Sequence, residues 1–463
     1  MEPITIREIL DAVRGKILGD FVTLDMEIPK VETDSRTIHP GSLFVPLIGD
    51  QFDGHAYINA ALEGGAAACL TQRERESYLP GKCYIKVEST ARALRELAVY
   101  YKKKFQVPVV AITGSVGKTT TKDMVAAVLG EHYNVLKTEG NLNTDIGTCM
   151  TIFRMNRETE LLVLEMGMNH PGEIEVMSAI AEPDVCLITN IGDSHIEFLG
   201  SRENILKAKC ELFSHAQPDC LAVLNGDDPL LANLASRLPC RVLTVGARPD
   251  LDYTADQLTS DGREKISCKV KTPHMVCGVD IPALGSHMIY PTLMAAAVGE
   301  HFDLTGEEIR AGVRHFAPTK MRMNILRRRD GITILNDTYN ANPQSMRAAV
   351  EVLSKSQGER KIAVLGDMFE LGALAPALHA GVGAYLGKAG VDCLVAVGEL
   401  AENIYAAAKD SLVPEVHWCA TKEESLPVLA QVLTPGSTIL VKASRGMAFE
   451  ELVEYLKSIT TET

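Results

Sequence analysis

The stretch Thr113-Gly114-Ser115-Val116-Gly117-Lys118-Thr119-Thr120 lies between an apolar run, VVAI at 109–112, and an amphipathic helical pattern from Lys122 to Leu129. Glycines let backbone N–H groups face an anion, and a helix start adds partial positive charge. The Lys118 ammonium can reach terminal phosphates and a hydroxyl can hold Mg2+. A nucleotide phosphate is the ligand this pattern suits; a plain Gly-rich strand-to-helix turn is the alternative. The usual spacing would put glycine where Ile112 stands, so the loop is a shortened form. Glu165 closes the run LLVLEM, and strand ends beside a phosphate loop are where parallel sheets gather ligand-binding groups. Small residues around it leave room for Mg2+, although a surface carboxylate would look the same. His195 sits in a second such turn, Asn190 to His195, where a lone histidine is ordinarily structural. Lys207 and Lys209 lie on a helix opened by Ser201; helical lysines are normally solvated. The run Glu139 to Gly147, with Asn141 and Asn143, suits either a ligand-bonding loop or a simple turn.

These groups need strands that deliver them to one edge. Apolar runs at 109–112, 161–166, 185–189, 221–225 and 241–245 alternate with helical patterns, and so do a second set at 332–337, 361–367, 393–398 and 438–444. Strands separated by crossover helices imply parallel sheets. The expected class is α/β with three domains: 1–105, a smaller N-terminal α/β unit ending in a helix from Ala91 to Lys103; 106–318, a central phosphate-loop domain; and 319–463, a Rossmann-like C-terminal domain. Pro318 to Asp330, with its basic run Arg327 to Arg329, reads as a hinge-like junction.

Composition bounds the partners. The chain has 463 residues, 46 Lys plus Arg and 60 Asp plus Glu, a net charge of −14, so nucleic acid is not expected as a partner. No apolar run approaches membrane-spanning length, and the N-terminus lacks the pattern of a secretory signal; a cytoplasmic protein without membrane insertion is expected. Eleven cysteines without a CxxC pair read as buried free thiols in a reducing compartment.

Taken together, TGSVGKTT, GNLNTDIG, LEMGM, the stretch IGDSHIEFLGSRENILKAK and the C-terminal NDTYNANPQSM, LGDMFELG and VKASRGMAFEEL resemble, in order and across nearly the whole chain, the motifs of the Mur ligase family. These are ATP-dependent amide ligases of bacterial cell-wall precursor synthesis. The last three motifs look like those of the member that adds D-alanyl-D-alanine to UDP-N-acetylmuramoyl-tripeptide. The resemblance implies that Gly114, Ser115, Val116, Gly117, Lys118, Thr119 and Thr120 hold ATP phosphates. Thr119 and Glu165 would hold one Mg2+, and His195 would help hold a second, supported by a carbamylated Lys209. Lys118, Glu165, His195 and Lys209 are then the catalytic set. Arg322 would reach the nucleotide, with Asp337, Tyr339, Asn340 and Asn342 closing over it. Lys442, Ser444 and Arg445 would meet phosphate or a substrate carboxylate, with Asp367, Glu370 and His379 as softer candidates for the same cleft. Ser35, Arg36, Asp53, Gly54 and His55 match the uridine-nucleotide segment, with Asn141 and Asn143 on the same substrate. Relatives read GxHNxxNxxAA where this chain has Met288 and Pro291 in place of both asparagines, which leaves His287 as the candidate beside the base. A monomer is expected. The rival readings are a relative adding a single amino acid, and a phosphate-loop ATPase acting as a conformational switch.

Overall fold

The computed structural model describes residues 1–49 and 51–459. A nine-stranded sheet forms its centre, ordered from one edge as Val276–Ile281, Ile266–Lys271, Tyr253–Ser260, Arg241–Gly246, Leu221–Asn225, Val185–Ile188, Val109–Thr113, Leu161–Glu165 and Val135–Lys137. The pairings from Tyr253–Ser260 through Val135–Lys137 are parallel, and the first three strands form an antiparallel extension. The two strands that follow Val109–Thr113 lie on one side of it and all later strands on the other, so the chain switches sides there, and a parallel sheet opens a crevice at the carboxyl end of such a switch. Its five residues are all buried, as a strand covered on both faces requires.

The C-terminal part carries a six-stranded sheet ordered Asn324–Arg327, Thr333–Asn336, Thr438–Lys442, Lys361–Gly366, Cys393–Val397 and Glu415–Cys419. All its pairings are parallel except the first. The N-terminal part carries a five-stranded mixed sheet and a two-stranded ribbon. Its last helix, Thr90–Lys103, is capped by Ser89 and buries Leu94, Leu97 and Tyr101; the Tyr101 hydroxyl donates to Met155 O of the central domain at 2.7 Å. That core is continuous with one face of the central sheet.

Two local expectations need correction. The helix after the phosphate loop runs Lys118–Leu129, four residues earlier than its amphipathic pattern suggests, because Gly117 at φ 84° turns the loop straight into the first helical turn. The junction at 318–330 is partly sheet: Asn324–Arg327 pairs antiparallel with Thr333–Asn336, so the connecting peptide is shorter than the composition implies. The basic run there is anchored, with Arg328 paired to Asp330 at 2.6 Å and Arg327 paired to Glu264. None of the eleven cysteines is in a disulfide. No helix among the described residues is long and apolar enough to cross a membrane.

Candidate active site

A cavity of about 640 Å³ lies between the central and C-terminal domains, at the carboxyl ends of both sheets. One wall is the phosphate loop. Gly114 has φ 149°, and a Cβ there would lie 1.9 Å from Thr189 Oγ1, so both conformation and space require glycine. Asn190 holds the loop in shape. Its backbone oxygen accepts from Ser115 N at 3.0 Å, its Oδ1 accepts from Val116 N at 2.9 Å, and its Nδ2 donates to Val116 O at 3.0 Å. Two of the loop's N–H groups are thereby committed. The N–H groups of Lys118, Thr119 and Thr120 open the helix, where no intrahelical acceptor exists, and they face the cavity as an anion cradle. Lys118 Nζ folds back onto Gly114 O at 2.8 Å. Burial lowers its pKa, against the pull of Glu165 and together with the push of Arg322.

Behind the loop, Glu165 is almost fully buried at its strand end. Its Oε1 accepts from Asn143 Nδ2 at 2.9 Å, whereas Oε2 is buried with no donor. An orphaned anionic oxygen in the interior is costly unless a cation completes it, and that is the fit expected of a Mg2+ ligand. Lys209 is also buried, at 1% exposure, while Lys207 two residues earlier is exposed. The helix Arg202–Cys210 packs Ile205, Ala208 and Lys209 inward. Burial, and secondarily the neighbouring Lys118 charge, hold the Lys209 amine well below its ordinary pKa. No carboxylate pairs with it among the described residues. His195, in the left-handed region at φ 62°, has Nδ1 2.6 Å from Glu370 Oε2, an ion pair by distance that is out of line for a hydrogen bond, and this contact draws the Glu370 pKa down.

The opposite wall comes from the C-terminal domain. The guanidinium of Arg322 stacks on the Tyr339 ring at 4.1 Å and donates to Thr119 Oγ1 at 3.2 Å, leaving Nε buried without a partner. Lys442 pairs with Asp337 at 2.5 Å and donates to Asn340 O at 2.8 Å; burial lowers its pKa despite Asp337. Asn342 caps the helix Pro343–Lys355 and crosses the cleft, donating to Ser194 Oγ at 2.7 Å. Ser444 Oγ accepts from Phe369 N at 2.9 Å, and Arg445 pairs with Glu450 at 2.8 Å while remaining half exposed. At the far end Ala283, Leu284, Met288 and Pro291 give an apolar pocket wall, with Tyr290 bonded to Asp227 at 3.1 Å. Pro291 lies in the first turn of the helix Ile289–His301, where its missing N–H leaves no acceptor unserved. His287 opens into the cavity, and the enclosing walls lower its pKa by desolvation.

Several expected residues lie elsewhere. Asp367 is buried with Oδ1 on Ala401 N at 2.7 Å, and burial raises its pKa. His379 is buried between Met368 N and Ala375 O, at 2.9 and 2.7 Å. Neither lines the cavity, because each is needed to fasten its own domain; Glu370 does line it. In the N-terminal domain Arg36 pairs with Asp34 on the surface at 2.7 Å. Asp53 caps the short helix Gly54–Tyr57 and pairs with His55 and Arg73, each at 2.7 Å. A Cβ at Gly54 would come within 2.7 Å of Leu47 O. Ser35, Asn141 and these residues lie outside the cavity, and Asn143 has its amide on Glu165. Asn190, Asp228 and Gln344 went unremarked in the sequence. Asp228 had a readable signal, an Asp-Pro pair before a helix; it caps that helix and accepts from Ile191 N at 2.7 Å.

A phosphate cradle, a buried unpaired carboxylate oxygen behind it and a second sheet facing it across the cavity are the features of a nucleotide-using enzyme. The chain belongs to the Mur ligase family. The Mur ligase middle domain matches residues 112–299, the Mur ligase glutamate ligase domain matches 321–445, and the Mur ligase family catalytic domain matches 27–110. The chain is 37% identical over 458 residues to UDP-N-acetylmuramoyl-tripeptide–D-alanyl-D-alanine ligase of Bacillus subtilis, covering 98% of each chain. A crystal structure of MurF from Acinetobacter baumannii superposes with a TM-score of 0.92 at 31% identity, over 99% of this chain and 100% of that one. MurF ligase from Thermotoga maritima in complex with ADP gives 0.83 at 28% identity, over 92% and 97%.

Proposed function

We propose that the protein joins D-alanyl-D-alanine to UDP-N-acetylmuramoyl-tripeptide with ATP, releasing ADP and phosphate, in the cytoplasmic phase of peptidoglycan precursor synthesis. The names of the full-length relatives support the substrates, and the ADP complex of the Thermotoga maritima relative supports the nucleotide. The observation that carries the reading is the phosphate loop with Glu165 behind it: Glu165 lies outside the cavity lining but close enough for its charge to act on Lys118, and its Oε2 is a buried acceptor awaiting a cation.

An amine does not displace oxide from a carboxylate at useful rates, so the tripeptide carboxyl must first be activated. Its oxygen takes the γ-phosphoryl group of ATP, giving an acyl phosphate and ADP. The neutral dipeptide amine then adds to the acyl carbon, phosphate leaves with the C–O bonding pair, and the amine proton is lost. Lys118 moves from Gly114 O to the β- and γ-phosphates and, with the helix N–H groups, offsets charge as two anions approach. Thr119 and Glu165 fit one Mg2+, while His195 and a carbamylated Lys209 fit a second. Bound there, the two ions supply charge neutralisation between the phosphates and the attacking carboxylate. Lys209 suits carbamylation because burial, with no carboxylate beside it, lowers the pKa of its amine and favours the nucleophilic form: it would add CO2, lose a proton and become an anion. Arg322 and Asn340 grip the nucleotide, and Lys442, Ser444 and Arg445 face the transferred phosphate or the dipeptide carboxylate. His287 and the apolar wall near Met288 take the base. The uridine moiety is assigned to Ser35, Arg36 and the 53–55 turn, with Asn141 beside it. Domain limits of 1–105, 106–318 and 319–463 divide these tasks, and the enzyme works as a monomer.

Phosphate release measured with UDP-N-acetylmuramoyl-tripeptide, with and without D-alanyl-D-alanine, tests the proposal. Release requiring both, with a product heavier by the dipeptide less water, is expected. Release restored by another amine would move the chain to a different family member, and release indifferent to any amine would make it an ATPase.

A further inference from the structure

The seam between the central and C-terminal domains holds a contact that the phosphate chemistry alone does not require. His195 and Glu370 face each other across it, Nδ1 to Oε2, at 2.6 Å. Both residues have left-handed backbones, φ 62° and 61°. Such a conformation is disfavoured for a non-glycine residue and persists only where its surroundings over-determine it. The surroundings here are the two segments themselves. Glu197 N donates to Glu370 O at 3.4 Å, and Gly372, at φ 53°, lies against Glu197. Strain on both sides of one short contact indicates that the contact is selected for what it orients.

We propose that Glu370 is a positioning residue for His195 and that domain docking and completion of the second metal site are one event. The proposal rests on the two-metal reading given above. The contact is an ion pair by distance, out of line for a hydrogen bond; the negative charge beside Nδ1 favours the proton on that side and leaves Nε2 the side to ligate. His195 belongs to the central domain and Glu370 to the C-terminal domain, so the oriented ligand exists only when the two are together. An open enzyme would hold the second ion loosely and would not activate a carboxylate exposed to water. Coupling the ion to closure thus guards the acyl phosphate against hydrolysis.

The test counts bound Mn2+ by electron paramagnetic resonance in the full-length protein with a non-hydrolysable ATP analogue. The native protein should bind two ions. Glu370→Ala should weaken the second by about 10-fold and leave the first unchanged, and Glu370→Gln should recover part of the loss because its amide oxygen can still stand against Nδ1. In turnover, Glu370→Ala should show a reduced kcat that rising Mg2+ restores, with the KM for ATP little changed. Gln344→Ala cuts a different bond of the same seam, Gln344 Nε2 to Asp193 Oδ2 at 2.6 Å, and should weaken the second ion less than Glu370→Ala does, because it loosens the seam without touching His195. Native second-ion affinity in Glu370→Ala, or an equal loss in Gln344→Ala, would overturn the positioning role. A native protein binding one ion would instead overturn the two-metal reading and this proposal with it.

Discussion

Replacing Gly114 by alanine should damage the phosphate loop by an amount the structure allows to be worked out. The backbone there has φ 149°, which costs an L-residue about 1–3 kcal/mol. The new Cβ would also stand 1.9 Å from Thr189 Oγ1, so the hydroxyl must leave. Thr189 Oγ1 presently donates to Val116 O at 2.6 Å, and that bond is worth about 0.5–1.5 kcal/mol net. The total is about 2–4 kcal/mol, read as the shift of the urea transition that nucleotide binding stabilises. Thr189→Ala alone loses only the bond, about 1 kcal/mol. In the double variant the bond is already gone and the closest clash is removed, so adding Thr189→Ala to Gly114→Ala should cost almost nothing further. The cycle should therefore show about 1 kcal/mol of coupling. Strict additivity of the two changes, or a Gly114→Ala protein as stable as native, would refute the argument that this glycine is required by both φ and contact. Phosphate release should fall with the single variant in either background, because the strained loop no longer presents its helix N–H groups correctly.

Three further outcomes are expected. Lys209→Ala should lose turnover and regain part of it when a short-chain carboxylate is added, since an exogenous anion can stand where the carbamate would; phosphate release with and without acetate reads this. Asn190→Ala removes both side-chain bonds to Val116 and should cost about 1–3 kcal/mol with a raised KM for ATP, checked by urea unfolding and initial rates. At Glu8, burial opposes ionisation, but the bonds from Lys104, Thr5 and Tyr100 outweigh it and lower the pKa to about 2. A depressed carboxylate pKa contributes stability above the ordinary value of 4.5 and loses it as pH falls towards 2. Glu8→Gln should thus be destabilising by about 1–2 kcal/mol at pH 7, after allowance for solvent screening, and should approach the native chain in acid-titrated unfolding as pH falls through that window.

Strand runs such as VVAI, LLVLEM and TILV announce a parallel α/β chain because fully buried strands must be apolar throughout, and the structure places each within a residue or two of its run. The phosphate loop was equally legible, since glycine at φ 84° and 149° has few substitutes and the lysine and hydroxyls follow at fixed spacing. The strands of 253–281 went unread, because they are largely half-exposed or exposed and leave weak apolar runs. Lys209 was indistinguishable from Lys207 by residue type or helical pattern; only packing buries one and leaves the other in water. Asp367 and His379 looked like cleft residues and are instead hydrogen-bonded within their own domain. The meeting of Arg322 with Thr119, of Asn342 with Ser194 and of Glu370 with His195 spans about 150–200 positions of chain. A sequence carries the chemistry of each partner and the local geometry that points it. Which distant partner it meets is decided by how two separately formed sheets dock, and that depends on the whole of both surfaces.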